Sequence, residues 1–180
     1  DAMRHEAARL QKAADELLYT NMGATAIGTG ITAEPEYSRI CTDYMREIAG
    51  LDIKLSRNLI EATHDTSCMV AYSSALKSTA IRLSKICNDL RLMSSGPRTG
   101  LSEINLPPKQ PGSSIMPGKV NPVIPEVVNQ VCFKVIGNDM TVTMASEAAQ
   151  LELNVMEPVL IQSLVESAIW MSRAFTTLRV

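Results

Sequence analysis

The chain has 180 residues, about the length of one domain, and its 46 % hydrophobic against 20 % charged content excludes a disordered polyelectrolyte and permits a sizeable core. A net charge of −2 argues against nucleic acid as the main partner, and no run of about 18 apolar residues offers a membrane span. Aromatics are only 4 %, while Ala, Leu, Val, Ile and 10 Met dominate, which is the palette of a helix bundle.

The N-terminus does not read as a signal peptide. Cys41, Cys68, Cys87 and Cys132 form no C-x-x-C pair, so reduced thiols in a cytoplasmic protein are the simplest reading. Asp1 already lies inside a helical pattern and Val180 stops inside another. The chain is therefore expected to be a segment of a longer polypeptide.

In chain order, residues 1 to about 20 read as a helix rich in Ala, Leu and Glu. N-M-G-A-T-A-I-G-T-G follows, with Gly23, Gly28 and Gly30 allowing tight turns and close backbone approach. A shorter helix is expected from Glu36 to Ala49, after Pro35 and ending at Gly50. Residues 51–65 are mixed. A long helix is expected from Thr66 to Met93, where Leu76, Ala80, Leu83, Cys87 and Leu90 recur at 4-3-4-3 spacing, a heptad seam. Ile124, Val128, Val131 and Val135 repeat that spacing in a helix from Pro122 to about Thr143. Leu160, Leu164, Ser167, Met171, Ala174 and Leu178 do so in a helix from Ser146 onward, which Pro158 should kink.

A helix of 27 residues is about 40 Å long. Three such helices in a chain this short predict an all-α, elongated bundle of antiparallel helices, with much of the apolar surface covered by partner subunits.

The 28 residues from Ser94 to Asn121 hold Gly96, Pro97, Gly100, Pro107, Pro108, Pro111, Gly112, Pro117 and Gly118, too many for regular structure. Within them G-S-S-I-M-P-G-K-V-N, residues 112–121, offers hydroxyls, backbone N–H groups and one positive charge. Asn121 then Pro122 is a good helix start, and the N–H groups of a helix N-terminus attract carboxylates. Lys119 adds a full charge, and Ser113 and Ser114 can donate hydrogen bonds or supply a base if an alkoxide is stabilised. The alternative is an ordinary surface turn with an exposed lysine. Glu126 is a plain first-turn helix acid, or else holds a histidine of another element or subunit. His5 and His64 read as solvated, no Cys/His/Asp cluster has metal-ligand spacing, and the glycine-rich N-M-G-A-T-A-I-G-T-G lacks the marks of a phosphate loop, leaving close helix packing as its role.

G-S-S-I-M-P-G-K-V-N-P resembles the signature of the aspartase/fumarase superfamily, whose members eliminate a group beta to a carboxylate and release fumarate. N-M-G-A-T-A-I-G-T-G, S-K-I-C-N-D-L-R-L-M-S-S-G-P-R and Q-L-E-L-N-V-M-E-P extend the resemblance, so that nearly the whole chain is similar to the central helical domain of these enzymes. N-P-V-I-P-E-V-V-N-Q-V-C-F-K-V-I-G-N-D and M-E-P resemble the ammonia-eliminating, aspartase branch. Class II fumarases typically carry Thr-Gln after N-P.

The resemblance implies a tetrameric helical core and reversible loss of ammonia from L-aspartate to give fumarate. It implies residues 112–121 as the catalytic loop, with Ser113 as general base and Ser114 on the carboxylate that becomes an aci-carboxylate dianion. Lys119 and Asn121 would bind the other carboxylate, and Glu126 would be a supporting acid behind them. No cofactor or catalytic metal is implied, Mg²⁺ being at most an activator. Each active site in the family is assembled from segments of three subunits, two of which lie upstream of the region matched here, and a small C-terminal domain follows it. The chain is thus expected to carry the base loop without the rest of the substrate cage. Two alternatives stay open: a class II fumarase acting on malate and fumarate, or, for the isolated fragment, an inactive oligomerisation bundle.

Overall fold

The computed structural model describes residues 1–116 and 118–179; Pro117 of the expected catalytic loop and the terminal Val180 lie outside them. The fold is all-α, as expected. The six helices of the described residues are α1 (Ala2–Glu16), α2 (Tyr37–Ala49), α3 (Glu61–His64), α4 (Ser67–Met93), α5 (Val123–Glu147) and α6 (Glu157–Leu178), with two-residue strands β1 (Tyr19–Thr20) and β2 (Lys54–Leu55). The chain divides into two compact units, Asp1–Ala75 with Asp139–Val165, and Leu76–Asn138 with Glu166–Val180.

In the first unit, α1 stops at Glu16, short of the expected end near residue 20. The remaining stretch turns into β1, which pairs in parallel with β2, Tyr19 opposite Lys54 and Thr20 opposite Leu55. Lys54 N–H donates to Leu18 O at 2.8 Å and Ser56 N–H to Thr20 O at 2.9 Å. Between the strands, α2 closes on Gly50 at φ 64°, and Arg46 reaches back to the Ile53 carbonyl at 2.8 Å. A side chain at Gly28 would run into the backbone of Leu59 and Ile60, so the glycine-rich segment serves close packing.

The first turn of α4 is capped by Asp65, whose carboxylate accepts from Ser67 N–H and Ser67 Oγ at 2.9 Å each. Thr66 Oγ1 donates to Ser146 Oγ at 2.7 Å and Ser73 Oγ to Asp139 Oδ1 at 2.9 Å. As the α4 side of these pairs advances by seven positions, the α5 side retreats by seven, which makes the two helices antiparallel here.

One expectation fails in this unit. No helix runs from Ser146 through a kink at Pro158. α5 continues past Thr143 to Glu147, the chain turns through Gln150–Leu153, and α6 starts at Glu157. Leu151 takes φ 50°, and Asn154 ties the turn by donating to Ala145 O at 3.0 Å and accepting from Met156 N–H at 2.9 Å. Pro158 therefore sits in the first turn of α6, where a missing N–H costs no helical hydrogen bond and no kink is required.

The second unit has the expected seam at its core. Leu76, Ala80, Leu83 and Cys87 of α4, Val128 and Val135 of α5, and Met171 and Ala174 of α6 are buried. Polar side chains interleave with them. Asn129 Nδ2 donates to Ser84 O at 3.0 Å and Ser84 Oγ at 2.8 Å, while its Oδ1 accepts from Arg91 at 3.2 Å. Asn138 Nδ2 donates to Glu166 at 2.8 Å and to Ser167 Oγ at 3.1 Å, which explains the serine in the α6 heptad.

Candidate active-site loop and cleft

The linker between α4 and α5 lies in the second unit. Its first part is folded back onto the end of α4. Met93 O accepts from Glu103 N–H at 2.8 Å, Ser95 O accepts from Ser102 N–H at 2.7 Å, and Ser95 Oγ donates to Leu92 O at 2.6 Å. Carbonyls that a helix C-terminus leaves unpaired are satisfied this way. Residues 105–111 then carry three prolines toward the loop.

The loop closes on itself. A side chain at Gly112 would run into the carbonyl of Lys119, so these two backbones touch and form a neck. Lys119 N–H donates to Met116 O at 3.1 Å, and Ser113 Oγ accepts from Ile115 N–H at 3.2 Å. Ile115, at the tip, is 86 % exposed. Ser113 is half-buried; Ser114 and Lys119 are exposed.

Beside the neck is a cleft of about 490 Å³ lined by Ser94, Ser102, Asn105, Lys119, Asn121 and Pro122, among others. Lys119 is the one charged side chain on its lining among the described residues. The start of α5 follows directly: Val123 N–H donates to Asn121 O at 2.9 Å and Glu126 N–H to Pro122 O at 3.1 Å. The helix begins one residue later than expected, at Val123, within the ordinary fraying of a helix end. A lysine, hydroxyls, carboxamides and a helix N-terminus around one cleft suit a small carboxylate.

The structure thus brings Lys119 and Asn121 together on one wall. It does not bring Ser113 or Ser114 to that wall, and Glu126 stands in the first turn of α5, half-buried, outside the lining. Ser94, Ser102 and Asn105 line the cleft although the sequence did not single them out. Ser94 falls in S-K-I-C-N-D-L-R-L-M-S-S-G-P-R, one of the stretches that carried the resemblance, while the only signal for Ser102 and Asn105 was membership of the proline- and glycine-rich stretch. Behind the cleft, Leu90, Leu106, Pro122, Ile124 and Leu178 surround an apolar pocket of about 100 Å³, so Leu106 and Pro122 back both cavities. His5 is exposed and His64 half-buried, and among the described residues no group of His, Cys, Asp and Glu could hold a metal ion. No helix of the described residues is long and apolar enough to cross a membrane.

Fold and loop together define a helical domain with a carboxylate-suited cleft, and the comparisons place it in a family. The family described as Lyase matches residues 1–137. Aspartate ammonia-lyase of Corynebacterium glutamicum is 62 % identical over 170 residues, covering 94 % of this chain and 32 % of that protein. The enzyme of the same name from Escherichia coli K12 is 59 % identical over 165 residues, covering 92 % and 34 %. The crystal structure of fumarate lyase:delta crystallin from Brucella melitensis bound to cobalt matches with a TM-score of 0.93 at 52 % identity, over 97 % of this chain and 38 % of that one. Class II fumarase from Schistosoma mansoni matches at 0.86 and 30 % identity, over 95 % and 40 %. The chain belongs to the lyase family of the aspartase/fumarase superfamily. It spans about a third of the length of the curated relatives it matches, 32 % and 34 % for the two named.

Proposed function

We propose that this chain is the central helical part of an aspartate ammonia-lyase, which removes ammonia from L-aspartate to give fumarate. The observation that carries the reading is the 62 % identity to an aspartate ammonia-lyase over 94 % of the chain, the carboxylate-suited cleft included. The class II fumarase alternative rests on a likeness of only 30 % identity.

In this reading Lys119 and Asn121 hold one carboxylate of L-aspartate at the cleft wall. Ser113 takes the proton from the carbon next to the other carboxylate, and Ser114 helps bind that carboxylate as its charge rises to a dianion. The electron pair left on carbon forms the double bond as ammonia departs from the neighbouring carbon. The proton is weakly acidic, so fixed donors must stabilise two charges on one carboxylate. The serine alkoxide needs donors too, and the Ile115 N–H that already points at Ser113 Oγ is of the right kind. Closure of the loop tip over the cleft would bring Ser113 to the substrate and exclude water, strengthening every charge interaction inside. Glu126 acts from behind, as a supporting acid. The chemistry needs no cofactor, and Mg²⁺ enters at most as an activator. The remaining donors come from other segments and subunits of a cytoplasmic homotetramer, through the exposed apolar side chains of the long helices.

Ser113→Ala in the full-length enzyme tests the base. Turnover of L-aspartate, followed as fumarate formed, should fall by about 10²–10⁴, the usual worth of a positioned base. A loss smaller than about tenfold refutes the assignment. Fumarate hydration to malate, with no ammonia from aspartate, would move the protein to the fumarases. Fumarate production by the isolated chain would exclude its being only an oligomerisation bundle.

A further inference from the structure

Two glycines flank the loop tip, and they are glycine for different reasons. Gly118 has φ 82° and open space where a side chain would stand. Gly112 is not among the glycines with positive φ, so its backbone suits any residue. What forbids a side chain there is the carbonyl of Lys119, and backbone cannot swing aside as a flexible side chain can.

The Lys119 backbone is held from two sides: its carbonyl lies against Gly112, and its N–H donates to Met116 O at 3.1 Å. Gly112 itself is not on the lining of the cleft, whereas Lys119 and Asn121 are. We infer that Gly112 is a positioning residue, whose missing side chain seats the Lys119 backbone and so aims the ammonium at the substrate carboxylate. This rests on the reading of Lys119 as a carboxylate ligand given above. The neck also splits the loop by task. The exposed Ile115 side chain at the tip can change without disturbing Lys119 and Asn121, which stay anchored to the neck, to the Met116 carbonyl and to the start of α5.

The test uses the full-length enzyme and succinate, a four-carbon dicarboxylate that cannot eliminate, with its Kd measured by calorimetry beside KM and kcat for L-aspartate. Gly112→Ala should raise the succinate Kd by about tenfold or more, the scale of a lost charge-assisted hydrogen bond, and should raise KM by more than it lowers kcat. Combined with Lys119→Ala, it should bind no worse than Lys119→Ala alone, because both changes remove one contact. Gly137→Ala, on α5 with open space around it, should leave Kd unchanged. Ile115→Ala, at the exposed tip, leaves both the neck and the Met116 carbonyl in place and should keep the Kd within about twofold; a tenfold loss there counts against the inference even should Gly112→Ala not fold. Three results would overturn the inference: an unchanged Kd in Gly112→Ala, losses that multiply in the double variant, or a tenfold loss from the tip change. If Lys119→Ala itself binds succinate normally, the lysine assignment falls and the inference with it. A weakened Lys119→Ala beside a normal Gly112→Ala removes the neck alone.

Discussion

Asn129→Ala is expected to destabilise the second unit by about 2–3 kcal/mol. The residue is 2 % exposed, and its carboxamide serves three partners: the Ser84 carbonyl at 3.0 Å, the Ser84 hydroxyl at 2.8 Å and the Arg91 guanidinium at 3.2 Å. The two bonds to Ser84 are buried and contribute about 1 kcal/mol each. Ser84, itself 7 % exposed, is left with a hydroxyl short of its partner, which adds part of a desolvation penalty of about 1–3 kcal/mol. Arg91 is exposed, so its bond is screened and adds about 0.5 kcal/mol or less. A shift of about 2–4 °C per kcal/mol for a chain of this size converts the total to a fall in Tm of about 5–10 °C. Thermal and urea unfolding followed by circular dichroism measure it. Gln130→Ala, one position along and exposed, should stay within about 0.5 kcal/mol of wild type. If Asn129→Ala loses less than about 1 kcal/mol, or no more than Gln130→Ala, the buried network is not what fixes α5 against α4.

Glu166 accepts from Asn138 at 2.8 Å and lies 3.4 Å from the Lys134 ammonium, and the Asn138 hydrogen bond first, then Lys134, hold its carboxyl below the usual carboxylate range. A carboxyl lowered on folding stabilises above its unfolded value of about 4.3, and that contribution disappears as pH falls through the folded value. Tm of Glu166→Gln should therefore fall less steeply than wild type below about pH 4.3, and parallel curves would refute the coupling. Burial, with Cys87 as a lesser cause, pushes the Cys132 thiol up to about 11, so at pH 8 its thiolate is a fraction on the order of 10⁻³. A disulfide reagent should label the half-buried Cys41 and Cys68 first, and Cys87 and Cys132 only on unfolding; early labelling of Cys132 would contradict its burial.

The long helices were legible because burial imposes a period. Leu76, Ala80, Leu83 and Cys87 fall on one seam, and all four are buried. Ser167 shows the limit. Its place in the heptad followed from spacing, but its partner Asn138 comes from another helix, and pairing through space leaves no mark in a window of sequence. The break after Glu147 was missed because Ala148–Met156 contains no glycine or proline; the turn is made by Leu151 in a left-handed conformation and by the bonds of Asn154, a residue that also occurs inside helices. The strands were missed because two residues have no period. At the candidate site, the placing of Lys119 and Asn121 together followed from a short, unusual motif. The tip serines, the lining from Ser94, Ser102 and Asn105, and the reason for Gly112 all depend on how a long irregular linker folds back, which local propensity does not encode.

The small parallel pairing of β1 with β2 has a consequence for how this chain can vary. Positions 19 and 54 become lateral neighbours, about 4.8 Å apart as in any sheet. Everything between them, α2 included, therefore leaves and returns at one place. Lengthening such an excursion costs only about 0.6 kcal/mol per doubling, and neither α1 nor α4 has to shift to accept it. The glycine-rich start of the excursion packs against Leu59 and Ile60, so added length belongs beyond it, at the exposed turn 50–52 after α2, and there a reporter peptide can be spliced in with least disturbance to α1 and α4.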